Sequence, residues 1–360
     1  MADFVALAAP RPAEAGPADA EAASTEATKF AEAVRAFRRC DAAVDILKGL
    51  DLSSDRVQAF VVEEILDNAV SRRCPPRQSY VRKVVSAAIS AAEKGGADVS
   101  DSLYERLASS MSDDTDERSY ISFDVDAERT LSFRVCERQN ELGLRLWPAA
   151  EVFAEWVLAT KDAVQPGDFD WSRAGNVVEL GAGIGLCGLV LAACGAGRVV
   201  LTDHQDAVVR NLRHVVATNG LEKKCSVADL DWERPDDFDR IVADGKPVDA
   251  VLAADCVYDI TATASLAKLL RRFKDRGTQN IWLANAVRDQ RTWAKCLQAL
   301  EGQRLVAGPD RAADAVAAVA ARGGPRLVSQ KRWAQHVALI ENGEVRLIVI
   351  HDVDDVRLAS

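Results

Sequence analysis

A glycine-rich turn is the strongest chemical signal in the sequence. Residues 179–188 read ELGAGIGLCG and connect one short apolar run to another. Glycines between a strand and a helix let the backbone approach a ligand where a Cβ would collide with it. The spacing of Gly183, Gly185 and Gly188 also satisfies the fingerprint of dinucleotide-binding turns. The turn therefore predicts a site for a cofactor that contains a nucleoside.

Two acidic side chains bear on the identity of that cofactor. Asp203 follows Gly183 by twenty residues, at the end of the next apolar run, where a carboxylate can accept hydrogen bonds from ribose hydroxyls. Each such bond is worth about 1.5–3 kcal/mol, but NAD and S-adenosylmethionine both carry a ribose. Glu179 discriminates, because a carboxylate at the strand end disfavours a pyrophosphate and favours the ammonium of a methionine moiety. S-adenosylmethionine is favoured; NAD, or a turn that serves packing alone, are the alternatives.

Two further segments carry candidate site residues. Asp231 and Trp232 follow a third apolar run, where the tryptophan offers a flat face for stacking on adenine, worth about 1–3 kcal/mol. Considered alone, such a tryptophan is more often part of the core. Residues 254–258 read ADCVY and close a fourth run, at the edge where open α/β sheets bind ligands. The D-x-x-Y pattern fits either a site at the methyl acceptor or a helix cap.

The elements that must position these residues alternate between strands and helices from residue 148 onwards. Short apolar runs predict strands at 177–180, 198–202, 225–230, 248–254 and 280–284. The segments between them predict helices at 148–160, 186–194, 207–218, 261–273 and 290–300. Residues 336–340 and 345–350 flank an E-N-G-E turn and predict a C-terminal antiparallel hairpin. The fold class is therefore α/β, with a doubly wound, mostly parallel sheet.

The first third of the chain has a different period. Apolar residues at three- and four-residue steps predict four helices between residues 29 and 111, the first over 30–47 and the second over 54–70. A polar acidic linker follows at 112–117, and then two alternating runs, 120–125 and 130–135, predict a β-hairpin. We therefore divide the chain into a disordered Ala/Pro/Glu-rich tail (1–28), a helical module (29–115) and a catalytic domain (116–360).

Taken together, these motifs resemble a known enzyme family. The set W-P-A at Trp147, the glycine turn, T-D at Asp203, L-D-W at Trp232 and A-A-D-C-V-Y resembles the seven-strand, class I protein methyltransferases called family 16. These enzymes methylate lysine, and in a few members histidine, with S-adenosylmethionine. The residues that we expect at the cofactor are Trp147, Glu179, Gly181, Ala182, Gly183, Gly185, Asp203, Asp231, Trp232 and Ala254. The resemblance assigns Asp255 and Tyr258 to catalysis.

The helical module narrows the resemblance. Residues 74–80 read CPPRQSY and residues 103–108 read LYERLA, which is similar to the module ahead of the catalytic domain in the subgroup that methylates elongation factor 2. The resemblance thus implies elongation factor 2 as the protein substrate. The alternatives are another protein lysine, a histidine, a small molecule, or a non-catalytic binding scaffold. Asn285 and Arg288 also resemble the family segment after the fifth strand, although that match is less specific.

The expected chemistry places demands on the acceptor site. A lysine must react as the neutral amine, and its deprotonation at pH 7 costs about 4–5 kcal/mol. Burial beside the cationic sulfonium lowers that cost by disfavouring the ammonium form. We expect Asp255 to orient the incoming lysine and Tyr258 to form an aromatic wall that tolerates methylated ammonium.

Composition excludes several classes of protein. The chain has 360 residues, 48% of them hydrophobic, and a formal net charge of -10, so direct nucleic-acid binding is not expected. No stretch approaches the ~20 apolar residues of a membrane helix. The eight cysteines include no C-x-x-C pair, and the four histidines do not cluster with them, so we expect reduced thiols and no metal. An acidic, Ala-rich start differs from a targeting presequence and indicates the cytoplasm.

Overall fold

The computed structural model describes residues 17–111, 118–136, 141–162, 164, 169–242 and 245–354. Its contacts divide the chain into two compact units, Met1–Phe123 and Asp124–Ser360. The boundary that we predicted at 115/116 lies earlier than the one in the structure, at 123/124. Tyr120 belongs to the first unit, where its amide donates to the Pro75 carbonyl at 3.1 Å. Residues 1–16 of the predicted tail and the predicted linker at 112–117 lie outside the described residues.

The first unit is helical, in agreement with its apolar spacing. Its helices are α1 (Pro17–Arg38), α2 (Ala43–Ile46), α3 (Asp55–Phe60, continued by a π-helix over Val61–Leu66), α4 (Ala69–Arg73), α5 (Gln78–Lys94) and α6 (Asp101–Ser109). Its core includes the fully buried side chains of Phe37, Val61, Ile65, Val84 and Val85.

Two predictions for this unit need correction. Helix α1 begins at Pro17, so residues 17–28 are helical rather than part of a disordered tail. The reason is visible in their composition, because alanine is the best helix former and proline is favoured at the first helical position. The single helix predicted over 30–47 is two helices, since Cys40 adopts a left-handed backbone with φ of 56° and ends the first.

A small two-stranded sheet follows the helical region, as the alternating pattern predicted. It consists of β1 (Arg118–Asp124) and β2 (Thr130–Cys136). Within the second unit, the Asn219 side chain accepts from the Ser132 amide and donates to its carbonyl, each at 2.8 Å. Arg134 and Asn211 exchange a similar pair of bonds at 2.7 and 3.0 Å.

A seven-stranded sheet organises the second unit and confirms the predicted fold class. Its strands are β3 (Asn176–Leu180), β4 (Arg198–Asp203), β5 (Cys225–Asp229), β6 (Ala250–Ala254), β7 (Asn280–Ala286), β8 (Leu305–Asp310) and β9 (Val345–Asp352). Their spatial order is β5-β4-β3-β6-β7-β9-β8. Strands β3 to β7 run parallel, and β9 pairs antiparallel with both β7 and β8.

Helices connect the strands and cover the sheet. They are α7 (Pro148–Thr160), α8 (Leu186–Ala193), α9 (Asp206–Thr218), α10 (Pro235–Ile241), α11 (Thr263–Asp275), α12 (Gln290–Gly302), α13 (Ala312–Ala321) and α14 (Gln330–Glu341). No helix in the described part of the chain is long and apolar enough to cross a membrane.

The order of the strands locates the expected ligand edge. All five residues of β3 are buried, which explains why residues 177–180 are apolar apart from Glu179. The chain leaves β3 towards β4 and β5 on one side and returns to β6 and β7 on the other. Open α/β sheets bind ligands at the carboxyl edge beside such a reversal, which is where the glycine turn follows β3.

One predicted hairpin arm is wrong. Residues 336–340 belong to helix α14, and the antiparallel partner of β9 at the sheet edge is β8. The Asn-Gly pair that suggested a hairpin turn ends a helix instead: the amide of Gly343, with φ of 69°, bonds to the Ile340 carbonyl, and that of Glu344 bonds to the Leu339 carbonyl. This Schellman pattern uses the same left-handed glycine that a hairpin turn requires.

Candidate active site

The glycine turn is held tightly between β3 and α8. Gly181 and Gly183 each have φ of 56°, and Gly185 has φ of 83°. A Cβ on Gly181 would lie 2.8 Å from the Cys256 sulfur, and one on Gly183 would lie 3.1 Å from the Gly143 carbonyl oxygen. Both the backbone conformation and the space therefore require glycine here.

Two further bonds close the turn. The Ala182 amide donates to the Thr202 carbonyl at 2.8 Å, and the Gly185 amide donates to the Ala182 carbonyl at the same distance. The turn is thus tied to β4, and its surface carries no side chain larger than a methyl group between Gly181 and Gly183.

Glu179 lies inside this turn rather than on its surface. Its Oε2 accepts from the Gly188 amide at 2.9 Å, and only 2% of the residue is exposed. Burial raises the pKa of Glu179 to about 8, and the nearby Asp203 charge adds to the rise, although the Gly188 amide and the Cys187 thiol lower it. A cation bound above the turn would oppose that rise, because positive charge favours the carboxylate form.

Asp203 lies at the end of β4, beside the turn. Its Oδ2 accepts from the Gly183 amide at 3.3 Å, and its Oδ1 accepts from the amides of His204 and Gln205 at 2.9 and 3.1 Å. Burial raises the pKa of this carboxyl, while those amides lower it. The arrangement presents a fixed acceptor within reach of the turn.

The segment after β5 approaches the same edge. The Cζ2 atom of Trp232 lies 3.6 Å from the ideal Cβ position of Gly181, so the indole lies against the glycine turn. Asp231 is held locally: its Oδ1 accepts from the Glu233 amide at 2.9 Å, and its Oδ2 pairs with Arg234 at 3.2 Å.

Asp255 joins three separate elements immediately after Ala254, the last residue of β6. Its Oδ2 accepts from the Ala149 amide in the first turn of α7, at 2.9 Å. Its Oδ1 accepts from the Ala286 amide at the end of β7, also at 2.9 Å, and from Arg288 Nη1 at 3.1 Å. Asp255 adopts φ of 54°, a strained conformation for a non-glycine residue that clusters at functional sites.

A buried amide fixes the rest of the D-x-x-Y segment. Asn285 is fully buried; its Oδ1 accepts from the Val257 amide at 2.8 Å, and its Nδ2 donates to the Val257 carbonyl at 3.2 Å. Tyr258, which follows Val257 in the sequence, is 55% exposed. Its pKa is raised, mainly by partial burial and then by nearby groups that include Cys256 and Asp203.

Trp147 and Arg288 complete the rim. Trp147 immediately precedes α7 and donates its indole N–H to the Leu142 carbonyl at 3.0 Å. The Arg288 guanidinium carbon lies 4.6 Å from the centroid of the Trp147 ring, a cation–π geometry. The same guanidinium binds Asp255, so indole, guanidinium and carboxylate form one connected row.

Two buried glutamates in α7 were not singled out by the sequence analysis. Glu155 accepts from Arg322 Nη2 at 2.6 Å and from the amides of residues 326–328 at 2.6 to 3.0 Å. Glu151 pairs with Arg332 at 2.7 Å and with His336 at 3.1 Å. These contacts attach the segment that contains α13 and α14 to the helix whose first turn binds Asp255. The sequence does carry a signal for them, because two acids four residues apart are unusual in an otherwise apolar helix.

The predicted cofactor residues thus converge on one edge, and their donor set fits S-adenosylmethionine. The glycine turn leaves space for a ligand backbone, Asp203 offers an acceptor for hydroxyls, and Trp232 offers an aromatic face. The two carboxyl groups with raised pKa, Glu179 and Asp203, suit a ligand that carries positive charge. Asp231 lies in the adjoining turn, and Ala254 lies at the end of β6 beside Ala284.

Comparisons with known proteins find similarity to methyltransferases. Residues 126–301 match the sequence model of a family described as lysine methyltransferase. The protein-lysine N-methyltransferase EEF2KMT of Mus musculus is 24% identical over 269 residues, which cover 70% of this chain and 77% of that protein. The protein-lysine N-methyltransferase rrg1 of Schizosaccharomyces pombe is 32% identical over 142 residues, 37% of this chain and 43% of that protein.

Solved structures include a putative SAM-dependent methyltransferase from Streptococcus mutans, with a TM-score of 0.43 and 11% identity over 74% of this chain and 66% of that one. The family match at residues 126–301 contains the glycine turn, Asp203 and Asp255. Residues 126–301, just under half of the chain, are thus similar to the lysine methyltransferase family, and the methyl donor of this domain is S-adenosylmethionine.

Proposed function

We propose that this protein methylates a lysine of elongation factor 2 in the cytoplasm. The observation that carries the choice of substrate is the extent of the similarity to mouse EEF2KMT. That alignment covers 70% of the chain, slightly more than the catalytic domain at 116–360 makes up, so it reaches into the residues before that domain. The similarity to rrg1 of Schizosaccharomyces pombe covers 37% of the chain, which is short enough to lie wholly within the catalytic domain.

The two motifs of the helical module have different roles in this proposal. In the first motif, residues 74–80, Tyr80 packs inside the unit and its hydroxyl donates to the Asp41 carbonyl at 2.9 Å. We therefore assign this motif to the stability of the helical unit. In the second, Leu103 is fully buried while its neighbour Tyr104 is 47% exposed on α6. We assign Tyr104 to substrate recognition, because an exposed aromatic ring supplies contact area at low cost in conformational entropy.

At the catalytic edge, this chain's residues would bind the cofactor and orient the lysine. When bound, S-adenosylmethionine supplies an electrophilic methyl group on a sulfonium. The residues that would hold it are Trp147, Asp203 and Trp232 together with the glycine turn. Tyr258, half-exposed and three residues after Asp255 in the sequence, would line the entry of the lysine and tolerate its methylated forms. Asp255 accepts from two backbone amides and from Arg288, so we assign it to holding the pocket together.

The test is transfer of a labelled methyl group to recombinant elongation factor 2. We expect label on lysine, identified by mass spectrometry of digested substrate, with calmodulin as the comparison substrate. Asp203→Asn should lower affinity for S-adenosylmethionine by at least tenfold, because a charge-assisted bond to a hydroxyl is worth about 1.5–3 kcal/mol. The matched control is Asp239→Asn, a half-exposed carboxylate that pairs with Arg272 on α11.

Other results would redirect the proposal. Label on calmodulin but not on elongation factor 2 would assign the enzyme to another protein lysine. Label on histidine would change the acceptor. Binding of S-adenosylmethionine without transfer to any protein would favour a binding scaffold, and calorimetric binding of NAD alone would refute the cofactor assignment.

A further inference from the structure

Arg288 makes two side-chain contacts that binding of the cofactor does not explain. Its guanidinium touches both Asp255 Oδ1, at 3.1 Å, and the face of Trp147, at 4.6 Å. The Arg288 side chain is 41% exposed, whereas that of Asp255 is 2% exposed. The arginine therefore covers a buried carboxylate at the rim of the site.

The charge of Asp255 matters for the acceptor. A buried carboxylate without a cation nearby favours any ammonium that approaches it and raises the pKa of that ammonium. An ammonium has no lone pair to attack a methyl group, so such a carboxylate would stabilise the unreactive form of lysine. The two backbone amides that bind Asp255 carry no net charge, and Arg288 supplies the balancing positive charge.

We propose that Arg288 is a positioning residue that neutralises Asp255, so that the acceptor pocket favours the neutral amine of lysine. The inference rests on the proposed lysine methylation. Arg288 thereby selects the reactive protonation state without touching the reacting atoms, and its contact with Trp147 fixes the guanidinium where it can do so.

The other ionisable groups near Asp255 do not replace this charge. The thiols of Cys187 and Cys256 lie close to it, and burial raises the pKa of both, which keeps them neutral. Glu179 and Asp203, which face Cys256, are acids, and Tyr258 is a phenol with a raised pKa. Among these neighbours, Arg288 is the cation.

The experiment compares Arg288→Gln with Arg288→Lys in the full-length protein. Glutamine retains hydrogen bonding to Asp255 and loses the charge, whereas lysine retains the charge. Steady-state methyl transfer is measured between pH 6 and 10. The matched control is Arg304→Gln, whose guanidinium pairs with Asp354 at 2.6 Å on the surface.

We expect the rising limb of the kcat profile to move up by about one pH unit in Arg288→Gln, so that kcat falls about tenfold at pH 7 and approaches the wild-type value at high pH. KM for the protein substrate should stay equal or fall, because the ammonium is bound more tightly. Arg288→Lys and Arg304→Gln should keep the wild-type profile.

An equal loss of kcat at every pH in Arg288→Gln, or the same shift in Arg288→Lys, would overturn the inference. Thermal melting identifies a glutamine variant that fails to fold; Arg288→Met, likewise uncharged, then takes its place in the comparison. A wild-type protein that transfers no methyl group would refute the proposed function instead, so the two failures are distinguishable.

Discussion

The buried carboxyl of Glu179 makes stability depend on pH in a way that one substitution should remove. Burial raises its pKa from the ordinary 4.5 to about 8 in the folded protein. The folded state thus binds this proton more tightly than the unfolded chain does. The corresponding contribution to stability is complete below pH 4.5 and is lost as the pH rises towards 8.

The expected magnitude follows from that difference. Between pH 4.5 and pH 7 the loss amounts to about 3 kcal/mol, at about 1.4 kcal/mol for each pH unit. Glu179→Gln is neutral at every pH, and its side-chain oxygen can still accept from the Gly188 amide. Without the cofactor, the variant should therefore match the wild type near pH 4.5 and exceed it by about 3 kcal/mol at pH 7.

The assay is denaturant unfolding of both proteins at several pH values from 5 to 8, with the exposed Glu301→Gln on α12 as control. The reasoning is refuted if the difference in unfolding free energy between Glu179→Gln and wild type does not grow with pH. The same variant should bind S-adenosylmethionine less tightly, because it lacks the negative charge under the turn.

Three further predictions concern neighbouring features. Gly181→Ala should destabilise the protein and weaken cofactor binding by more than Gly220→Ala does. Both glycines have a left-handed backbone, which costs about 1–2 kcal/mol for alanine, but of the two only a Cβ on Gly181 would meet an atom within 4 Å. Equal unfolding free energies of the two variants would contradict this. Binding of S-adenosylmethionine at pH 7 should release protons, because a bound cation lowers the raised pKa of Glu179, which is about 8 in the free protein; calorimetry in buffers of different ionisation enthalpy measures the number of protons, and a buffer-independent heat would argue against it. Glu155→Gln should lower the unfolding free energy by about 3–5 kcal/mol, since it leaves the partly buried Arg322 without its counter-ion, whereas Glu301→Gln should have little effect.

The sequence predicts the parallel part of the sheet well, for a physical reason. Strands buried on both faces are continuous apolar runs, and a helix such as α7 has a clear start at Pro148, so its predicted and observed bounds agree. The C-terminal region is harder, because a left-handed Gly343 serves a helix end and a hairpin turn equally well. Only the contacts of the flanking residues distinguish the two.

The candidate site shows a similar division. The glycine turn and Asp203 are adjacent in the order of the strands, so their meeting follows from topology. The partners of Asp255 come from residues 149, 286 and 288, which no local pattern connects. Resemblance to a family points to Arg288, but the contact with Asp255 becomes visible only when the strands and helices are assembled.

The two glutamates of α7 also bear on the order in which the chain folds during synthesis. The partners of Glu155 lie 167 to 173 residues later, and His336 follows Glu151 by 185 residues. At ordinary rates of translation, both carboxylates therefore wait for on the order of ten seconds before their partners emerge. A chain ending at residue 301, where the family match ends, would contain the cofactor motifs but none of these partners. The helix that begins beside Trp147 therefore reaches its final state only when residues 322–336 have been made.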